Sequence, residues 1–334
     1  MTTETPVQRK TRKPYGPRKP RMPAETTQEM HMVNAQVPAM NSLKPIPLVD
    51  PNFVPFGHYD LLEKIIVSKT FAPVYITGPS GNGKSTQVEQ ICAKNKRPMI
   101  RINFNNMTDE EQLIGTKTLV NGNVEIVYGP VLNAMMNGYI LLCDELDASQ
   151  ANAILCLQGI LEGKPYYFKL ENKVIYPAEG FNIIATGNTK GKGSDSGQYI
   201  GTNILNEAFL DRFAVMFEQD YPSARIEQKI ITKLMTSLGC ENEDFCSDLV
   251  KWADAIRRTY EAGGVDEVIS TRRLSHIVKT YSIVNDTDMS VQLCCNRFDS
   301  TTSKAFIDLY QKIKTDQDIA QDVAQDAQDE GDAQ

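Results

Sequence analysis

The chain has 334 residues, 41% of them hydrophobic and 23% charged, and a formal net charge of −7. That is the composition of a soluble globular protein with room for one large domain or two of ordinary size. It lacks the run of roughly 20 apolar residues that a membrane span requires, and the apolar stretch that makes a secretory signal does not follow its basic N-terminal residues.

The first segment, residues 1–45, crowds Arg9, Lys10, Arg12, Lys13, Arg18, Lys19 and Arg21 among Pro6, Pro14, Pro17, Pro20 and Pro23. It cannot bury enough apolar surface to offset its ordering entropy, which predicts a disordered basic tail and linker. Such a tail is either simply solvated or a contact for nucleic acid or an acidic partner. From 46 to 222, apolar runs alternate with helical stretches, the pattern of a parallel α/β sheet. Phe71 to Thr77 is a first strand, with a helix from about Lys84 to Lys94. Met99 to Asn103, Tyr139 to Asp144, Phe181 to Thr186 and Ala214 to Phe217 supply four more strands, apolar enough to be covered on both faces. Two β-hairpins are inserted between them. Lys117 to Val127 turns at Asn121-Gly122, and Tyr166 to Tyr176 turns at Glu171-Asn172.

Beyond Tyr221-Pro222 only helical periodicity remains, which places a second, helical domain at 223–314. Ile226, Ile230, Ile231 and Leu234 share one face, as do Leu249, Trp252, Ala253 and Ile256; Thr271 to Val284 and Ser303 to Ile313 continue the pattern. Residues 315–334 form an acidic tail, expected to be disordered, with Asp316, Asp318, Asp322, Asp326, Asp329, Glu330 and Asp332 set among Ala and Gln. The seven cysteines include no Cys-x-x-Cys pair and several lie inside apolar runs, so they read as buried free thiols of a reducing, cytoplasmic compartment.

The chemistry is concentrated in two motifs. Gly78, Pro79, Ser80, Gly81, Asn82, Gly83, Lys84 and Ser85, followed by Thr86, match the phosphate-binding loop G-x-x-x-x-G-K-[ST] between a strand and a helix. Glycines let backbone N–H groups turn onto phosphate oxygens, and the helix N-terminus adds positive potential. Lys84 is expected to reach the β- and γ-phosphates of ATP, and the Ser85 hydroxyl to ligate Mg²⁺. Sixty residues further on (144 − 84), Asp144 and Glu145 close a strongly apolar strand. They emerge at the edge of the sheet where open α/β folds bind ligands. Asp144 is expected in the Mg²⁺ shell, and Glu145 as the general base that polarises the attacking water. Asp147 fits either a further polar support or a helix N-cap.

These residues resemble the MoxR-type AAA+ ATPases, and within them the CobS-type motors of aerobic cobaltochelatases. The likeness runs from about Val54 to Arg273 and rests on GPSGNGKST, LIGTKTLVNG, LLCDELDAS, ATGNTKGKG and LNEAFLDRF. It implies an AAA+ α/β domain carrying both hairpins, a small helical lid, and work as a homo-oligomeric ring, usually a hexamer. It also implies that Asn188 is the sensor-1 residue holding the attacking water and that Arg212 is the arginine finger entering a neighbour's site. Arg212 could instead pair with Asp211 or Glu207 of its own chain. Arg272 matches the lid's sensor-2 arginine, with Arg273 as the neighbouring choice of register. The Gly-rich stretch Gly187 to Gly201 resembles the corresponding CobS loop or is a plain surface loop.

The function expected is an ATP-hydrolysing ring motor that remodels a separate protein partner, one that carries an integrin-like metal-binding domain if the task resembles metal chelation. A second reading is a nucleic-acid-associated motor tethered by the basic tail. CobS-like ATPases also occur in tailed-phage genomes, which extends the expected compartment to the cytoplasm of a virus-infected bacterium.

Overall fold

Continuous apolar runs without alternation demand cover on two faces, and the computed structural model, which describes residues 45–120, 123–191 and 203–315, provides it. Strands β1 (Val74–Thr77), β2 (Met99–Asn103), β5 (Ile140–Asp144), β8 (Asn182–Gly187) and β9 (Val215–Glu218) form one parallel sheet in the order β2-β5-β8-β1-β9. Every residue of β1, β5 and β8 is buried, whereas the edge strands β2 and β9 are only partly so. Successive residues alternate between two cores. Tyr75, Leu141, Cys143, Ile183 and Ala185 enter one, and Val74, Ile76, Ile140, Leu142 and Ile184 enter the other. Strand β1 pairs with β8 on one side and β9 on the other, while the next strand in sequence, β2, lies at the far edge. The direction of progression therefore reverses at β1, which opens a crevice beyond its carboxyl end.

The covering helices begin and end on readable signals. Helix α1 (Tyr59–Ser68) precedes β1, and α2 (Lys84–Lys94) starts immediately after Gly83, whose φ of +88° is left-handed. Helix α3 (Glu110–Ile114) is capped by the Asp109 side chain, which accepts from the Gln112 N–H. Helix α4 (Pro130–Asn137) carries proline at its first position and glycine just past its end. The hairpin strands β3 (Gly115–Val120) and β4 (Asn123–Tyr128) pair antiparallel, as do β6 (Tyr166–Phe168) and β7 (Lys173–Ile175). Both hairpins are where the sequence puts them; the Asn121-Gly122 turn lies outside the described residues. So do residues 1–44, 192–202 and 316–334, on which the readings of both tails and most of the Gly-rich stretch fall.

After β9 the described chain is helical: α5 (Ala224–Leu238), α6 (Glu243–Glu261), α7 (Thr271–Val284), α8 (Thr287–Cys295) and α9 (300–315). Asn242, Ser270 and Asp286 cap α6, α7 and α8 through their side chains. These helices enclose a core of their own around Trp252, whose indole N–H donates to the Phe306 carbonyl at 2.8 Å, with Leu249, Ile256, Ile277 and Tyr310 beside it. The chain thus has an α/β AAA+ P-loop fold followed by a helical part. The final helix begins a few residues before the predicted Ser303, because Asp299 caps it by accepting from Thr301 and Thr302. The cysteines are unpaired; five are buried, and Cys156 and Cys240 are partly exposed. Among the described residues no helix is long and apolar enough to cross a membrane.

Candidate active site

Five segments meet at the carboxyl edge of the sheet. The loop Gly78–Gly83 leaves β1 and feeds α2. It is clasped from two sides. Asn82 and Gln219 exchange hydrogen bonds, Nδ2 to the Gln219 carbonyl at 2.5 Å and Gln219 Nε2 to the Asn82 carbonyl at 3.1 Å, and the Tyr221 hydroxyl donates to the Ser80 carbonyl at 3.0 Å. From the helical part, the Arg272 N–H donates to the Gly81 carbonyl at 3.2 Å. Close approach explains the glycine at 78: a Cβ there would stand 2.0 Å from the Gln219 carbonyl oxygen.

Lys84 is 7% exposed, and its ammonium donates to the carbonyls of Gly78 (2.7 Å) and Pro79 (2.9 Å) and to Asn188 Oδ1 (3.1 Å). Burial pushes it down to about 8, against the opposing charges of Asp147, Asp144 and Glu145 and with the help of Arg272. Beside it, the Ser85 hydroxyl donates to Asp144 Oδ1 at 2.5 Å. Asp144 also accepts from Thr186 at 2.5 Å and, on its other oxygen, from Arg101. Burial alone would raise the Asp144 carboxyl; the hydrogen bonds of Ser85 and Thr186 and the Arg101 charge outweigh it and hold the group below the usual carboxylate range. A carboxylate and a hydroxyl side by side at a phosphate loop are hard oxygen donors that suit Mg²⁺, with phosphate and water completing the shell. Thr86, next in the helix, is exposed.

Glu145 follows in the left-handed conformation, φ +57° and ψ +42°, with its N–H on the Thr186 hydroxyl at 3.2 Å and its side chain exposed. A non-glycine residue held there marks a sharp, strained turn of the kind that concentrates at functional sites. Asp147 is fully buried and does not cap a helix. Its Oδ2 accepts from the N–H groups of Asn188 (2.9 Å) and Thr189 (2.8 Å) and from the Thr189 hydroxyl (2.9 Å). It therefore fixes the turn that presents Asn188 to Lys84, the polar support rather than the cap.

The helical part contributes through a buried pair. Arg257 donates to both Glu227 oxygens at 2.8 Å and to the Ile269 carbonyl at 2.8 Å, and Thr271 donates to Glu227 at 2.6 Å. Its guanidinium also lies 4.1 Å from the centre of the Tyr221 ring. Together these contacts anchor the start of α7 against the loop. Pro79, Ser80, Asn188, Tyr221, Ser270 and Arg272 are among the residues lining a cavity of about 910 Å³ there, ample for a nucleotide. Arg273 reaches this cavity too, yet its charge bears on the Cys294 thiol of α8, whereas that of Arg272 bears on Lys84.

Arg212 stands apart from that cavity. It follows the short helix Glu207–Leu210, and its Nε donates to Glu162 at 2.8 Å while Nη1 donates to the Ala208 carbonyl. The carboxylate it uses is neither Asp211 nor Glu207, the two sequence proximity suggests, but one 50 residues away. Sequence reading missed Thr186, Arg101, Gln219 and the Arg257–Glu227 pair. Arg101 alone had a signal, as the single charge in an otherwise apolar strand core.

Residues 73–213 match the model of the AAA domain, dynein-related subfamily. An uncharacterised protein of Staphylococcus saprophyticus is 32% identical over 209 residues, covering 60% of this chain and 74% of that one. The aerobic cobaltochelatase subunit CobS of a Sinorhizobium species is 27% identical over 236 residues, 68% of this chain and 70% of CobS. Among solved structures, the Thermotoga maritima RuvB Holliday junction branch migration motor is 13% identical with a TM-score of 0.46, covering 75% of this chain and 72% of that one.

Proposed function

The chain belongs to the AAA+ ATPases, in their MoxR-like, CobS-like group, and is an ATP hydrolase; on that premise we propose that it works as a homo-oligomeric ring, of six subunits, that turns hydrolysis into remodelling of a separate protein partner. The ATPase part is residues 46–222 and the helical lid 223–314. The observation that carries the reading is the split between its polar groups. Lys84, Ser85, Asp144, Glu145 and Asn188 gather at one sheet edge, and Arg212 of the same chain bonds Glu162 and the Ala208 carbonyl instead of any of them. A second subunit supplies what the first lacks.

In this reading the loop amides of Gly78 to Gly83 and the Lys84 ammonium hold the β- and γ-phosphates. Ser85 and Asp144 hold Mg²⁺, which when bound neutralises phosphate charge. Glu145 takes the proton of the attacking water, oriented by Asn188 in the turn that Asp147 fixes. Arg272 contacts the phosphates from the lid side. Arg212 of the adjoining subunit stabilises charge on the transferring phosphoryl group, an effect of about 10³–10⁵ in rate where such fingers operate. The CobS relative motivates a chelatase-like partner with an integrin-like metal-binding domain.

The test is the specific ATPase rate as a function of protein concentration, with light scattering on the same samples. The rate per subunit is expected to rise as a six-subunit species forms, and Lys84→Ala should bind ATP at least tenfold more weakly. A constant rate per subunit down to concentrations where only monomer scatters would overturn the shared-site reading.

A further inference from the structure

A second groove lies away from the nucleotide cavity, on the outer side of α5. It has a volume of about 570 Å³ and is floored by Val54 and Pro55. Its wall is one stripe of α5, with Arg225, Lys229 and Lys233 at successive four-residue steps, which stacks three cations on a single helix face. No carboxylate lines it, and none of the three makes an ion pair with a described residue. Some other surface cations are paired, Lys94 with Glu63 and Arg258 with Asp254 among them. Three like charges in a row around an apolar floor repel one another, so the groove favours an occupant that is acidic, extended along the helix and partly apolar.

The chain contains such a segment. Residues 318–328 read Asp-Ile-Ala-Gln, Asp-Val-Ala-Gln, Asp-Ala-Gln. Asp318, Asp322 and Asp326 recur every fourth residue, so that in a helical turn they would repeat the spacing of about 6 Å between the cations of the groove. Each is followed by an apolar residue, Ile319, Val323 or Ala327, suited to Val54 and Pro55. The route is short as well. Tyr310, one turn and a half before residue 315, packs edge-on against Phe245 with ring centres 6.4 Å apart. The next residue, Cys246, touches Thr232 of the groove wall at 3.4 Å. Nineteen residues follow 315, and a chain of that length spans up to about 60 Å when extended. The basic segment 9–21 carries the wrong sign for this site.

We propose that residues 316–334 dock in cis into this groove, with Asp318, Asp322 and Asp326 paired to Arg225, Lys229 and Lys233. The docked segment joins the helical part to residues 54–55, which precede α1. Pairs of this kind are individually weak and screened by salt, so docking is a low-salt state that added salt releases.

Zero-length carbodiimide cross-linking of the full chain, followed by mass spectrometry, tests this, because the reagent joins only amines and carboxylates already in contact. Links from Lys229 or Lys233 to Asp318, Asp322 or Asp326 are expected at low salt and should vanish at 1 M sodium chloride. Arg225→Glu leaves both lysines in place and should cut their yield several-fold, with unchanged circular dichroism showing that the fold survives. Repeating the reaction on mixed isotopically labelled and unlabelled chains should give links within one label only. Mixed-label links, which mean the segment of a neighbouring copy, would overturn docking in cis. Links scattered over other lysines, or made to Lys10, Lys13 or Lys19, would overturn the groove as the site.

Discussion

At the carboxyl edge of the sheet, Lys84 is held by Asn188, Ser85 by Asp144, and Asp144 by Thr186 and Arg101, all from the same site. At the 207–213 corner, Arg212 is held, among the described residues, by Glu162 and a backbone carbonyl, outside the nucleotide cavity. The first region is a network closed within one chain. The second is a single guanidinium, partly exposed, just past the end of a short helix. On the shared-site reading proposed above, the first region is what a chain supplies to its own nucleotide and the second is what it lends to a neighbour. On that reading, Lys84 and Asp144, which serve their own subunit's nucleotide, are buried and already oriented by side-chain partners, while Glu145 stays exposed beside them. A group that acts on another subunit's nucleotide has to remain at the surface, and a replaceable surface ion pair holds it meanwhile, since such pairs contribute only about 0.2–1 kcal/mol.

The largest effect expected at the sheet edge is that of Glu145→Gln. Turnover should fall by about 10²–10⁴, the range of general acid–base assistance, while ATP affinity measured by titration stays close to wild type. A matching loss of affinity would mean that Glu145 belongs to the phosphate cradle and that the network does not divide as described.

Asp147→Ala probes the support beneath Asn188. It strands two buried N–H groups and a hydroxyl, each costing about 1–3 kcal/mol when left unsatisfied. Turnover is expected to drop by roughly 30-fold, with a lower midpoint in urea unfolding. Wild-type turnover in this variant would show that the 186–189 turn holds its place without Asp147.

The smallest effect is a pH dependence. Because burial pushes Lys84 down to about 8, it is charged below that pH and must take up a proton to meet phosphate above it. ATP affinity should therefore be flat below pH 8 and fall as pH rises through it, by up to about tenfold at pH 9. Calorimetry in two buffers of different ionisation enthalpy should show proton uptake on binding at pH 9 but not at pH 7. Affinity unchanged from pH 7 to 9 would show that Lys84 stays charged over that range or does not meet the phosphates.

The strands, both hairpins and the start of α2 were legible because burial on two faces, the Asn-Gly turn signal and the glycine-rich loop each leave a local pattern. Asp144, Glu145 and Lys84 were legible for the same reason, lying at the ends of patterned elements. Gln219 and the Arg257–Glu227 pair were not. Their partners lie 137 and 30 residues away, and nothing local distinguishes a surface arginine from one that anchors α7. Helices α1, α3, α4 and α8 were also passed over, since their apolar faces only gain meaning against the sheet or against α7. Glu162 illustrates the general limit: a pairing between distant surface loops is decided by the fold and leaves no spacing to read.

The shared-site claim is tested most directly by mixing two inactive variants. Arg212→Ala subunits keep Lys84 and Ser85 and should bind ATP, yet hydrolyse it about 10³-fold more slowly than wild type. Lys84→Ala subunits keep Arg212 but hold nucleotide poorly. When one is titrated with the other at fixed total protein, each interface that sets Arg212 of a Lys84→Ala subunit against the loaded site of an Arg212→Ala subunit completes one site. The predicted result is an ATPase rate that rises to a maximum at intermediate mixing ratios. A rate that only interpolates between the two variants, in samples where mixed assemblies are demonstrated, would contradict the account.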